Sequence, residues 1–167
     1  LWRGQRIDRL RGRPMRALRR ELQAVFQDPY SSLNPRMRAA DIVAEPIRNF
    51  ETQSAGQIRD RVASLFEQVG LRTDQMVKYP YEFSGGQRQR LGIARALAPG
   101  PKLIVCDEPV SALDVSVQAQ VLALLDEIRE RLHLTMLFIT HDLRVAAQVC
   151  DRIAVMRGGT IVSVLNR

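Results

Sequence analysis

The segment Leu103-Ile104-Val105-Cys106-Asp107-Glu108-Pro109 is an apolar run that stops abruptly on two carboxylates. Short apolar runs of this kind make buried strands, and ligands of parallel sheets bind at the carboxyl ends of strands, where loops and helix starts converge. Of two acids at such an edge, one can hold Mg²⁺ beside a phosphate and the other can orient or deprotonate a water. A second apolar run, Leu134 to Thr140, delivers His141 and Asp142 to what would be the same edge. A histidine there can reach the terminal phosphate of a nucleotide. The bland alternatives are an Asp-Glu-Pro turn that only starts a helix and an incidental imidazole in a capping segment. His133 falls in a helix-to-strand connection and is read as structural.

A third element is Phe83-Ser84-Gly85-Gly86-Gln87-Arg88-Gln89-Arg90. A serine and two glycines at a helix start expose backbone N–H groups with no Cβ in the way, which is an anion site reinforced by the helix dipole. A plain glycine-rich cap is the alternative, but glycine more often ends helices than starts them.

These residues need elements to position them. Leu22 to Phe26 reads as a short strand, and Pro29, Ser31, Ser32, Asn34 and Pro35 make residues 28–40 a loop. Ile58, Val62, Leu65, Phe66 and Val69 share one face of a helix over residues 57–69, with Gly70 as its stop. Ser84 caps a helix carrying Leu91, Ile93, Ala94 and Leu97, ended by Pro99. A long helix follows from Val115 to Leu132, with Val117, Val121, Leu124, Leu125, Ile128 and Leu132 inward. Asp142 caps a further helix to about Val149, and residues 153–164 read as two strands around the hairpin signal Gly158-Gly159. A short helix is also expected over residues 14–20. Alternation of strand and helix predicts an α/β protein with a largely parallel sheet.

Composition fits a globular domain, with 46% hydrophobic and 26% charged residues. The length allows one domain with a real core. No run approaches the roughly 18 apolar residues that cross a bilayer, and no signal peptide is evident. Cys106 and Cys150 lie inside apolar stretches, which favours reduced thiols and a cytoplasmic setting. The net charge of +7 comes wholly from residues 1–20, where eight arginines face the single acid Asp8. Without interleaved aromatics beyond Trp2, this segment reads as a solvated surface rather than a nucleic-acid arm.

In combination the motifs are recognisable. Ser84-Gly85-Gly86-Gln87 resembles the ABC signature motif, and Leu103 to Glu108 resembles a Walker B strand. Ser111-Ala112-Leu113-Asp114 resembles the D-loop, His141 the H-loop histidine and Gln27 the Q-loop glutamine. Their order and spacing match the ABC ATPase family from about residue 20 to residue 160. Phe26-Gln27-Asp28-Pro29 with Ser32 to Met37, and Glu108 to Gln120, are similar to the subunits that power dipeptide and oligopeptide import, a group that includes nickel and glutathione importers.

The resemblance implies a P-loop NTPase core of ABC type, with residues 20–30 and 99–167 as its catalytic portion and about 39–98 as a small helical subdomain. It implies ATP and Mg²⁺ as ligands and ATP hydrolysis as the reaction. Asp107 would help hold Mg²⁺, Glu108 would be the general base, and His141 would contact the γ-phosphate. Gln27 would sense Mg²⁺ and the attacking water. Ser84, Gly85, Gly86 and Gln87 would grip the nucleotide held by a second ATPase subunit, with Asp114 at the dimer seam. Transmembrane permease subunits would be further partners, at the cytoplasmic face of the inner membrane, with no nucleic acid. The family's G-x-x-x-x-G-K-[ST] loop is not in these residues, so a fragment unable to bind or hydrolyse ATP alone is expected, with the edge of the strand before His141 left unpaired. Two competitors are a soluble ABC-type ATPase acting on nucleic acid or ribosomes and a non-catalytic cassette of a heterodimer. Only 56 residues separate Gln27 from Ser84, too few for the insertions of the first, and the retained Glu108 and His141 argue against the second.

Overall fold

The computed structural model describes residues 1–166. Helix α1 (Gly12–Glu21) leads into strand β1 (Leu22–Val25), followed by the single turn α2 (Pro29–Ser32) and the helices α3 (Ala39–Phe50) and α4 (Ala55–Gln68). Two 3₁₀ turns, Thr73–Val77 and Pro80–Glu82, precede α5 (Gly85–Leu97). Strand β2 (Leu103–Asp107), helix α6 (Val115–Leu132), strand β3 (Thr135–Ile139), helix α7 (Leu143–Val149) and the hairpin β4 (Arg152–Arg157) and β5 (Thr160–Asn166) complete the chain.

Local chemistry explains most boundaries. Ser54 and Gln57 form a reciprocal capping box at the start of α4, and Gly70, at φ +69°, ends it as expected. The hairpin turn places Gly158 and Gly159 at positive φ, the conformation for which glycine has no steric penalty. Residues 28–40 are not all loop: the Asp28 carboxylate accepts the Tyr30 N–H at 2.8 Å and nucleates α2, and α3 already begins at Ala39. Leu132, expected inward, is exposed: it is the last residue of α6, and the left-handed His133 turns the chain so that Leu134 enters the core after it.

Strands β1, β2 and β3 pair in parallel in the order β1-β2-β3, while β4 and β5 form a separate antiparallel pair. Each parallel crossover steps one strand in the same direction. Right-handed crossovers therefore bring α5 and α6 to the same face of the sheet. That face holds the core: Val25, Ile104 and Cys106 are buried there with α5 and α6 side chains such as Leu91, Ile93, Val121 and Ile128.

The opposite face carries Leu22, Leu103 and Thr135 in one row and Ala24, Val105 and Leu137 in the next, with Asp107 beside Ile139. It is largely uncovered; Leu137 is 54% and Ile139 44% exposed. Parallel sheets are ordinarily covered on both faces, and β3 is also an edge strand. A groove of about 770 Å³ opens at the β1 margin of this face, between Leu22, Ala24 and Phe26 and the α3 residues Pro46 and Phe50.

Leu137 and Ile139 are already about half buried, so covering the remainder would stabilise the sheet by roughly 1 kcal/mol each. The 167-residue chain on its own is therefore expected to bind an apolar-surface dye and to associate with rising concentration in sedimentation. Leu137→Glu should reduce both signals. A dye-silent monomer would contradict the exposed face.

Candidate active site at the carboxyl edge of the sheet

Parallel pairing sends the carboxyl ends of three strands to one rim. Gln27 follows β1 by two residues, Asp107 ends β2 with Glu108 after it, and His141 follows β3 by two residues. The register pairs Asp107 with Ile139. The Glu108 N–H extends that ladder by donating to the Ile139 carbonyl at 3.0 Å. Asp107 and His141 thus share one end of the sheet.

Glu108 is the hub. Gln27 Nε2 donates to its Oε2 at 3.2 Å, and His141 Nδ1 lies 3.2 Å from the same oxygen. Its backbone sits at φ +44°, the left-handed region that costs a non-glycine residue about 1–2 kcal/mol. Ser111 holds that conformation by donating to the Glu108 carbonyl from its N–H at 3.2 Å and its Oγ at 3.1 Å. The side chain of Glu108 is 25% exposed and that of His141 75%, so the carboxylate is shielded while the imidazole reaches solvent. Asp142, next to His141, caps α7, and the Arg144 side chain and amide hold its carboxyl below the usual carboxylate range, so it stays anionic. The Asp142 N–H is itself fixed by Thr140 Oγ1 at 3.0 Å.

The donor set suits Mg²⁺, which takes oxygen ligands and needs only one or two from protein when phosphates and water supply the rest. The Asp107 carboxylate is exposed and has no hydrogen-bond partner among the described residues. Gln27 spends its amide nitrogen on Glu108, leaving the carbonyl oxygen as a ligand. Among the described residues no group of three or more His, Cys, Asp or Glu could hold a metal alone.

The signature-like segment sits at the start of α5. Ser84 Oγ accepts the Gln87 N–H at 3.3 Å and Gln87 Oε1 accepts the Ser84 N–H at 3.0 Å, a complete capping box. The N–H groups of Gly85 and Gly86 are then the open donors of the first turn. The two glycines have different reasons to be there. A Cβ on Gly86 would lie 2.5 Å from Val117 Cγ1 of α6, so packing within the chain demands glycine. A Cβ on Gly85 would meet only Leu113 at 3.6 Å, an ordinary contact, so nothing inside the chain requires glycine there. Asp114 caps α6 by accepting the Val117 N–H at 3.0 Å. No hydrogen bond or ion pair among the described residues joins Ser84 or Gln87 to Gln27, Glu108 or His141.

The structure therefore gathers Gln27, Asp107, Glu108 and His141 at the rim, and places Ser84, Gly85, Gly86 and Gln87 at the start of α5 and Asp114 at the start of α6, with Gly85 and Gly86 facing Leu113 and Val117. Sequence reasoning missed Val117 and Ser111 as supports. Apolar periodicity places Val117 inward, but no local signal says that a glycine lies opposite.

The chain is similar to known proteins along most of its length. Residues 1–111 match the model of the ABC transporter family. The chain is 51% identical over 164 residues to a probable peptide ABC transporter ATP-binding protein of Sinorhizobium fredii, covering 98% of this chain and 46% of the relative. It is 48% identical to the oligopeptide transport ATP-binding protein OppF of Escherichia coli (96% of this chain, 48% of the relative). It is 50% identical to the dipeptide transport ATP-binding protein DppF of Lactococcus lactis subsp. cremoris (98% and 53%). The chain spans about half the length of these relatives. Among solved structures, the dimeric ATP-binding cassette MJ0796 in a post-hydrolysis state, bound to ADP and Pi, superposes with a TM-score of 0.81 at 30% identity, covering 95% of this chain and 68% of that one. The cbiO1 protein of Clostridium perfringens, part of the ABC transporter complex cbiONQ, gives 0.83 at 29% identity, covering 93% and 61%.

Gly86→Ala is expected to destabilise by about 1–3 kcal/mol through overpacking, with much of the loss restored by Val117→Ala. Gly85→Ala should leave the urea midpoint unchanged or raised. Equal losses at both positions would contradict the assignment of Gly86 to internal packing.

Proposed function

The chain belongs to the ABC transporter family of ATP-binding proteins, and from that membership we propose that it is part of the ATP-hydrolysing motor subunit of a peptide importer. One observation carries the reading: Gln27 and His141 converge on a single oxygen of Glu108 at the sheet edge. Glu108 is the general base. Its carboxylate takes a proton from the water that attacks the γ-phosphate of ATP. Shielding keeps the base from bulk water, and Gln27 and His141 fix the direction of its free oxygen by occupying the other. His141 keeps its second nitrogen for the γ-phosphate. Asp107 and the Gln27 carbonyl would hold Mg²⁺, which when bound neutralises charge on the phosphates.

The open N–H groups of Gly85 and Gly86 support a head-to-tail sandwich of two subunits, and one solved relative is itself a dimer bound to ADP and Pi. In that arrangement Ser84, Gly85 and Gly86 grip the nucleotide of the opposite subunit, with the open N–H groups and the α5 dipole facing its phosphate. Asp114 fixes the start of α6 at the seam. The other side of each ATP is held by a phosphate loop that residues 1–167 do not contain. Residues of about 39–98 form the helical subdomain, and its partner is a transmembrane permease at the cytoplasmic face of the membrane. No helix among the described residues is long and apolar enough to cross a bilayer. The arginines of the first segment are substantially committed within the chain: Arg20 pairs with Glu51 at 2.7 Å, Arg6 with Asp8 at 2.8 Å, and Arg16 donates to the Asn49 carbonyl. This favours a structural surface over a nucleic-acid arm.

Glu108→Gln in the full-length polypeptide should fold normally and lose about 10²–10⁴-fold in ATPase rate. Near-normal turnover in that variant would overturn the role of Glu108.

A further inference from the structure

Between the rim and the start of α5 lies a short bridge that neither motif explains. Asp28, the residue after Gln27, is locked into α2: its carboxylate accepts the Tyr30 N–H at 2.8 Å, and its carbonyl accepts from the Ser32 N–H at 3.2 Å and Ser31 Oγ at 3.3 Å. Gln27 therefore cannot shift its backbone far without moving Tyr30 and Ser32. Both are held by arginines of α5. The Arg88 guanidinium lies 5.3 Å from the centre of the Tyr30 ring, within cation–π range. Arg95 donates to the Ser32 carbonyl. Arg88 and Arg95 are seven residues apart, two helical turns, and so lie on one face of α5.

Arg88 does more than stack. Its Nε donates to the Phe83 carbonyl at 3.0 Å, and Phe83 directly precedes Ser84. One guanidinium thus touches the turn that carries Gln27 and the peptide that starts the phosphate-gripping cluster. Tyr30 is 59% exposed, so burial does not account for its position. A surface stack with no further part is the bland reading, and it predicts no consequence beyond small stability changes.

We propose that Arg88 and Tyr30 form a positioning clamp through which the Gln27–Glu108 contact at one nucleotide is coupled to the Ser84–Gly86 grip on the other. This rests on the sandwich reading above. When Gln27 moves with respect to Glu108, α2 moves with it, and the Tyr30–Arg88 stack draws the Phe83–Ser84 peptide along. Each subunit contributes its rim to one ATP and its α5 start to the other, so the clamp links the two sites within one chain. Breaking it leaves both sites intact and uncouples them.

The test is ATPase activity against ATP concentration in the full-length polypeptide assembled with its permease, with a fluorescent ATP analogue reporting binding. Wild type is measured first. Absence of ATPase there would sink the functional reading itself. A hyperbolic wild-type curve would sink the clamp alone. Tyr30→Ala and Arg88→Ala are expected to lower the Hill coefficient toward the non-cooperative limit and kcat by roughly 2- to 30-fold, with nucleotide binding unchanged. The double variant should be no worse than either single one. Tyr30→Phe, which keeps the ring, should behave as wild type. If Arg88→Ala fails to assemble because the Phe83 tie is lost, the Tyr30 pair decides. Wild-type cooperativity in Tyr30→Ala, or equal damage from Phe and Ala, would overturn the clamp.

Discussion

Parallel pairing of three short strands is the constraint on which the rest depends. It brings Gln27, Asp107, Glu108 and His141, remote in sequence, to the same end of the sheet. A one-residue slip of β3 against β2 would reverse the facing of its side chains and carry His141 away from Glu108. The ladder bond from the Glu108 N–H to Ile139 guards that register at the point where it matters most. The left-handed backbone of Glu108 is tolerated because that bond, Ser111, Gln27 and His141 hold it from several directions.

The same topology explains why the sheet is finished on one side only. Three strands stepping in one direction give two helices on one face, and the other face can be covered only by elements that do not arise from these crossovers. Leu137 and Ile139 mark it, alongside the rim residue Asp107. The carboxyl rim and the uncovered face meet at β2 and β3.

Much of this was legible in the sequence because the signals were local. The apolar runs ending at Asp107 and Thr140, the Ser84 cap, the Gly70 stop and the Gly158-Gly159 turn each depend on a few neighbouring residues, and each appears in the structure. What was not legible depended on partners far along the chain. Nothing near Gly86 announces Val117, and nothing near Tyr30 announces Arg88. The α2 turn escaped because Pro29, Ser31 and Ser32 favour turns of several kinds, and the Asp28 cap selects the helical one. Leu132 followed the apolar period of α6 but is its last residue, where the left-handed cap at His133 sends Leu134 into the core instead.

The central claim is that the rim bearing Glu108 and His141 is where the nucleotide's terminal phosphate sits. The two histidines of these residues provide a direct comparison, because His141 follows the carboxyl end of β3 and His133 precedes its amino end. Imidazole resonances assigned by His→Gln substitution in the full-length polypeptide should be followed as Mg²⁺ and a non-hydrolysable ATP analogue are added. The account predicts that His141 signals move with saturation while His133 signals stay in place. Saturable binding that shifts His133 and leaves His141 unmoved would contradict it.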